Sequence, residues 1–311
     1  MAYSTTKVDL YRGSSNVSSL LPKQLSDEIW AKAVEESAVM QLAQQIAIPG
    51  TGVTIPVITG DATADWVGET EEKHVSEASL NAKVMTPYKV AVIELFSNEF
   101  KRDLPRVYEE LARRLPSSIG KKFDETVFAG TAPGSNFDVL TSSTAVNIQS
   151  TANSGTVYKN LVSVLSTIAT ADAELTGWAF SPKADAILLG AVDTTGRPIF
   201  VPNANEGSIG SILGAPVYRT RRAYKQGTDN DVLGFAGDWS QAYYGVVDGI
   251  NVAISEEATI NDGSKQINLW QRNMFAIRVE AELGFVVKDS NAFVKVTGTA
   301  TGSTGATGAT S

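Results

Sequence analysis

One histidine and no cysteine set narrow limits on the chemistry open to this chain. The histidine, His74, stands in GETEEKHVSE, a charged run that reads as a solvated tip. A Cys–His pair is excluded, and a Ser-His-Asp triad would have to use His74. No G-x-S-x-G nucleophile elbow occurs. GSIGSILG has the glycines of a phosphate loop but lacks the Lys-Ser/Thr that touches phosphate and metal, so it reads as a turn before a strand. Thiolate zinc sites, iron–sulfur clusters and disulfides are impossible without cysteine. Paired-carboxylate hydrolysis depends on distances that a sequence hides. The expectation is no cofactor, no metal centre and no conventional small-substrate enzyme.

The segment that stands out is Thr51 to Val90. It reads as two extended arms around a polar tip that holds Lys73 and His74. Arms of about 15 residues at about 3.3 Å each reach roughly 50 Å. A compact chain of this length has a radius of gyration of only about 19–20 Å. A hairpin that long projects from its own domain and needs an outside support, most simply another copy. The other arrangement open to this segment is a short core hairpin with a loose loop.

The chain has 311 residues, 43% hydrophobic and 19% charged, enough for one large or two modest domains. A net charge of −8 argues against tight, extensive binding to a phosphate backbone. No apolar run is long enough to span a membrane as a helix. The N-terminus, MAYSTTKVDLYRGSSNVSSLL, lacks an apolar signal core and reads as an arm that orders on a partner. The last residues, GTATGSTGATGATS, form a low-complexity tail.

Between these ends, Leu25 to Ala38 fits a short helix, and Met40 to Ile48 reads as a strand stopped by Pro49-Gly50. Asp103 is a candidate N-cap for a long helix from Leu104 to Phe128, interrupted by Pro116 and ended at Gly130. Its apolar stripes include Leu104, Val107, Leu111 and Leu115, then Ile119, Phe123 and Val127. Its other face carries Arg106, Arg113, Arg114, Lys121 and Lys122, either a solvated surface or a contact with an anionic neighbour. Thr131 to Thr156 reads as a loop and domain boundary, and Tyr158 to Ala173 as an amphipathic helix. Phe275 to Val287 alternates apolar residues without a miss, far beyond the usual strand of about 5–6 residues. It is expected to pair with Ala292 to Val296 and with the strand near Ala91.

This order of parts resembles the major capsid proteins of tailed bacteriophages. LPKQLSDEIWAKAVEESAVMQLA is similar to that family's opening helix and strand, and DTTGRPIF to its D-x-x-G-R turn. LGAPVYRT resembles its strand entry, GFAGDWSQAYYGVVDGINVAISEE its G-D-aromatic stretch, and NAFVKV its closing strand. The resemblance implies an α+β capsid fold with a projecting hairpin, an N-terminal arm, a spine helix, long antiparallel strands in a peripheral domain and an inserted axial domain. The expected divisions are an arm at 1–22, a peripheral domain at 23–50, 87–154 and 271–299, a hairpin at 51–86, an axial domain at 155–270 and a tail at 300–311.

The function implied is a structural shell protein assembling as pentamers and hexamers into an icosahedral head around double-stranded DNA. Implied partners are further copies of the chain, a scaffolding protein, a portal protein, a decoration protein and non-specifically held DNA, with no membrane. The setting implied is the virion, assembled in the cytoplasm of a bacterial host. An encapsulin-like cellular nanocompartment shell is the alternative with the same fold. A soluble enzyme or carbohydrate-binding module is the alternative from another class. No long charged helical segment precedes the arm, so scaffolding is expected from a separate protein, if from any.

Some members of the resembled family join a hairpin lysine to an asparagine of another copy, with a glutamate assisting. The matching candidates here are Lys73, Asn273 and Glu280. The amine must be neutral to attack, whereas a free lysine titrates near 10.4. Strict alternation puts Asn273 and Glu280 on opposite faces of one strand. The other reading is a solvated Lys73, a turn-capping Asn273 and a Glu280 paired to Arg278 or Arg272.

Overall fold

Strict alternation at the end of the chain produces one very long strand, Met274–Val287. It organises a five-stranded sheet. On one edge it carries Tyr88–Ser97, antiparallel, from Met274 opposite Ser97 to Leu283 opposite Tyr88. On the other it carries Asn251–Ser255 and then Ala242–Val246, both antiparallel, and Gln44–Ala47 lies parallel beyond the latter. The computed structural model describes residues 37–60, 63–70, 72–73, 75–76, 79–97, 118–150, 157–192, 196–200, 210–261, 263 and 265–300. Numbered along the chain, the described strands are β1 (Gln44–Ala47), β2 (Val53–Gly60), β3 (Ser79–Met85), β4 (Tyr88–Ser97), β5 (Thr144–Asn147), β6 (Gly177–Phe180), β7 (Ser211–Ile212), β8 (Ala215–Arg219), β9 (Asn230–Gly237), β10 (Ala242–Val246), β11 (Asn251–Ser255), β12 (Thr259–Asn261), β13 (Gln266–Asn268), β14 (Met274–Val287) and β15 (Phe293–Thr299). The helices are α1 (Ala38–Leu42), α2 (118–128), α3 (Val157–Thr170) and α4 (Pro182–Leu189).

A six-stranded sheet runs in the order β5-β15-β9-β6-β8-β7. Both of its faces are covered, and the period-two rule is visible in what each residue touches. Trp178, Phe180, Ala236 and Val294 face one core, shared with Leu161, Val164 and Ile168 of α3 and Leu188 of α4. Ala179, Phe235 and Phe293 face the other, shared with α2. α2 joins the two sheets. Phe123 meets Phe285 of β14 edge-on at 6.2 Å, and Phe128 stacks on Phe235 of β9 at 5.2 Å.

A buried carboxylate fixes the start of the described chain to this spine. Asp124 of α2 accepts from the Ser37 hydroxyl at 2.6 Å, from the backbone N–H of Ala38 and Val39, and from the Thr220 hydroxyl at 3.3 Å. It satisfies the free N–H groups at the start of α1 from 86 residues away, while Ser37 caps Met40. Burial pushes this carboxyl above its ordinary value, against the pull of its four donors.

Several expectations need correction. Met40 to Ile48 is not one strand but α1 followed by β1. The closing strand β15 does not pair with β14; it lies between β5 and β9 in the other sheet, while β4 does pair with β14 as expected. Thr131 to Thr156 is not all loop over its described part. It buries Phe137, Leu140 and Ile148 and supplies β5. The helix expected at Leu25 to Ala38 lies outside the described residues except for its last two positions. Pro116 and the first half of the long helix lie outside them too. Lys121 and Lys122 are exposed, and Lys122 pairs with Glu125 at 3.5 Å.

Removing the Asp124 carboxylate strands four donors. Asp124→Ala should cost about 3 kcal/mol, read as a lower urea midpoint at unchanged slope. The raised pKa also fixes a sign. The folded chain holds this proton more tightly than the unfolded chain, so the Asp124 contribution weakens as pH climbs from 3.8 through the raised value and is constant above it. Asp124→Asn should flatten that part of the stability profile.

Candidate assembly surface: a hairpin held at its root

Among the described strands, β2 and β3 pair only with each other, from Val53 opposite Met85 to Gly60 opposite Ser79. The arms are 8 and 7 residues long, roughly 25 Å, so the regular part is half the length that the sequence pattern suggested. The register shifts between Ile58 and Gly60, and beyond it the chain opens into an irregular tip, braced where the Thr63 N–H donates to the Ser76 hydroxyl at 2.7 Å.

The root is built to grip. Met85 is fully buried with Ile48, Ile55 and Val286. It fits because Gly245 and Gly284 stand opposite each other in the β10–β14 ladder. A Cβ on Gly284 would come 2.9 Å from Met85 Cγ, and one on Gly245 would come 2.6 Å from Ile48 Cδ1 and 2.9 Å from Met85 Cε. Beside this socket, Asp138 Oδ2 accepts from Lys83 Nζ at 3.0 Å and from the Val287 N–H at 3.0 Å. The same Nζ donates to the Val287 carbonyl at 2.7 Å, and the Asp138 N–H donates to Phe285 O. Asn136 Nδ2 donates to Thr86 Oγ1 at 2.9 Å. The return arm, the 136–138 turn and the end of β14 are thereby locked together.

Away from the root none of the described residues covers the finger. Trp66 shows 103% of its reference surface, and Val75 and Leu80 are exposed with it. Single exposed apolar residues are ordinary, but a bare indole at the end of a projecting hairpin is not. Covering a side chain of 150–250 Å² is worth roughly 4–6 kcal/mol before ordering costs.

Lys73 is exposed near this tip, and His74 lies outside the described residues. Asn273 takes a left-handed conformation (φ 54°) after the turn Trp270–Arg272, just before β14. Glu280 lies seven residues further along β14, about 23 Å away. Its carboxylate is 3.1 Å from Arg278 Nε and 3.9 Å from Lys89 Nζ. One copy therefore does not bring Asn273 and Glu280 together. Sequence reasoning passed over Asp138, whose only signal is an acid between two apolar residues in a loop. It also passed over the Asp229–Asp231 pair, an Asp-x-Asp triplet. Asp231 there is structural: it is buried and accepts from the Tyr224 hydroxyl and the Gly227 N–H. Among the described residues no group of acids and histidine could hold a metal ion, and no helix is long and apolar enough to cross a membrane.

Residues 18–298 match the model of the phage capsid family. The chain is 31% identical over 299 residues to the probable major capsid protein gp17 of Mycobacterium phage L5, covering 92% of this chain and 91% of that one. It is 25% identical to the major capsid protein of Staphylococcus phage 80alpha, covering 89% and 84%. Among solved structures, one from Mycobacterium phage Adephagia superposes with a TM-score of 0.71 at 23% identity, covering 85% of this chain and 91% of that one. One from Gordonia phage Cozz gives 0.67 at 25% identity, covering 85% and 87%. The chain belongs to the phage capsid family. It is a structural shell protein with the fold that its sequence resembled, and the projecting hairpin is part of that fold.

Loss of the root clamp has a specific signature. Asp138→Ala should speed tryptic cleavage after Lys83 about tenfold, because a lost charge-assisted contact eases local opening. Cleavage after Lys73, already exposed, should not change. Equal cleavage after Lys83 in both proteins would show that Asp138 does not hold the arm.

Proposed function

We propose that this chain assembles as pentamers and hexamers into a closed icosahedral shell around double-stranded DNA. The observation that carries the reading is a hairpin gripped at one end and bare at the other. A finger of this kind gains by lying on an adjacent copy. Contacts between unlike surfaces, repeated head to tail, close into rings. In this reading 1–22 is the arm, 51–86 the hairpin, 155–270 the axial lobe and 300–311 the tail. The remaining segments (23–50, 87–154 and 271–299) form the peripheral lobe. The lobes share strands: β10 and β11 join β14, and β15 joins β9. That sharing stiffens the joint between them.

Assembly would take place in the bacterial cytoplasm, with a separate scaffolding protein and a portal protein at one vertex. A decoration protein would bind the outer face. DNA would be held without sequence preference, which suits a chain of net charge −8.

The shell of this proposal is non-covalent. A bond from Lys73 to Asn273 would expel ammonia and need a free base. Glu280 is already engaged by Arg278 and Lys89. Boiled particles should run as one band near 33.0 kDa on a denaturing gel. A ladder of multiples would instead bring Lys73, Asn273 and Glu280 back as a crosslinking set. Electron micrographs of the expressed chain, alone or with its scaffolding partner, should show closed shells. A small stable species under every condition would defeat the proposal.

A further inference from the structure

We infer that the basic end of the six-stranded sheet, where β6 and β8 finish, is the surface that meets the phosphates of the enclosed duplex, so that this end of the subunit is turned toward the interior of the shell. This rests on the shell reading above and supplies what that reading leaves open: where a chain of net charge −8 can touch DNA.

The fold gathers the cations. Arg219 ends β8, Arg221 and Arg222 lie in the short turn after it, and Lys225 follows, four cations in seven residues. No other seven-residue stretch of the described chain holds as many. Lys183 joins them from the first turn of α4. β6 and β8 are parallel neighbours linked through α4, so both strands end at this edge. Two contacts fix α4 to the segment. Asp185 Oδ2 lies 2.8 Å from Arg219 Nε, and Lys183 Nζ lies 3.7 Å from the centre of the Tyr224 ring. The Tyr224 hydroxyl donates to Asp231 at 2.9 Å, so the ring that holds Lys183 is itself held. α4 also begins here, and the start of a helix carries a partial positive charge. The carboxyl ends of parallel strands are where open α/β sheets bind their ligands.

The surplus of positive charge survives once pairing is counted. Asp185 neutralises Arg219. Asp124 and Asp231 are buried, one on donors from α1 and Thr220, the other on Tyr224 and the Gly227 N–H. Lys225 donates to the neutral carbonyl of Ala129 at 2.8 Å and keeps its charge. Lys183 rests on a neutral ring. Among the described residues Arg221 and Arg222 have no ion pair. Lys183, Arg221, Arg222 and Lys225 are all exposed, and the exposed acid beside them is Asp229.

The character of the patch favours a nucleic-acid backbone over an acidic protein. None of the exposed large apolar side chains of the described chain lies between Ala215 and Asp231. A protein partner buries apolar surface at the core of its contact, whereas a phosphate backbone needs only cations that can follow a repeating charge. Guanidinium groups suit phosphate especially, because their planar fork matches two of its oxygens.

The test uses the full chain with Arg221→Gln and Arg222→Gln together. Lys265→Gln with Arg272→Gln removes the same charge from exposed positions around β13 and serves as the control. Fluorescence anisotropy follows binding of a labelled duplex of arbitrary sequence between about 50 and 200 mM salt. The patch variant should lose at least about tenfold in affinity at the low-salt end and about two from the slope of log K against log salt. The control should change each by less than half as much. Amine acylation gives a second measurement that needs no variant. Lys183 and Lys225 should react more slowly in DNA-filled particles than in empty ones, and Lys265 equally in both. Equal losses in the two variants, no duplex binding by the parent, or equal acylation of Lys183 and Lys225 in filled and empty particles would overturn the site and leave the shell reading standing. Polyglutamate competing as well as unlabelled duplex would assign the patch to an acidic protein instead. No particles from the parent chain would remove both readings.

Discussion

Asp138, Lys83 and Val287 meet within 3.0 Å at the foot of the hairpin, beside a methionine seated between two glycines. The architecture depends on this grip. A two-stranded ribbon is marginal in water by itself. Here one end is fastened to the longest strand of the molecule, so the ribbon keeps its direction with nothing beneath it. The charges at the clamp are only partly buried, and an exposed ion pair alone is worth little. What raises its value is that the same carboxylate oxygen accepts from the Val287 N–H and the same ammonium donates to the Val287 carbonyl, so losing either side chain also removes a backbone partner on that edge of β14.

β14 is where the grip becomes stiffness for the whole subunit. Its edges are occupied by β4 on one side and by β11 and β10 on the other. Phe285 of the same strand packs against Phe123 of α2, and α2 reaches the second sheet through Phe128. A force applied at the hairpin passes through Met85 and Asp138 into β14 and then, through two phenylalanines five residues apart on α2, into the other sheet. A shell under outward load needs such a route. Packed interiors transmit strain instead of absorbing it.

Much of this was legible in the sequence, and the parts that were not share a physical cause. Perfect alternation from Phe275 to Val287 fixed the presence of β14, and the amphipathic pattern gave α3. The partner of β15 was misjudged because period two tells which face is buried and not which strand lies alongside. The end of α1, from Met40, was read as strand because the acceptor of its first N–H groups is Asp124, more than eighty positions away in the chain. The hairpin arms came out half as long because their apolar alternation outlasts the ladder, which slips at Ile58 and Gly60. Within the surface itself, the sequence pointed to the tip through its charges and drew attention to Lys73 and His74. Trp66, one aromatic among polar residues, stands out only once the fold shows it bare beyond the paired arms, and Asp138, one acid in a loop, only once the fold brings Lys83 and Val287 to it.

The central claim is that the hairpin is fixed at its root by its own chain and at its tip only by other copies. Hydrogen exchange, compared between the unassembled chain and assembled particles, tests it directly. The account predicts that the amides of 84–86, 136–138 and 284–287 are protected equally in both states. Those of 63–76 should exchange freely in the unassembled chain and become protected on assembly. Equal protection of the tip in both states would contradict it.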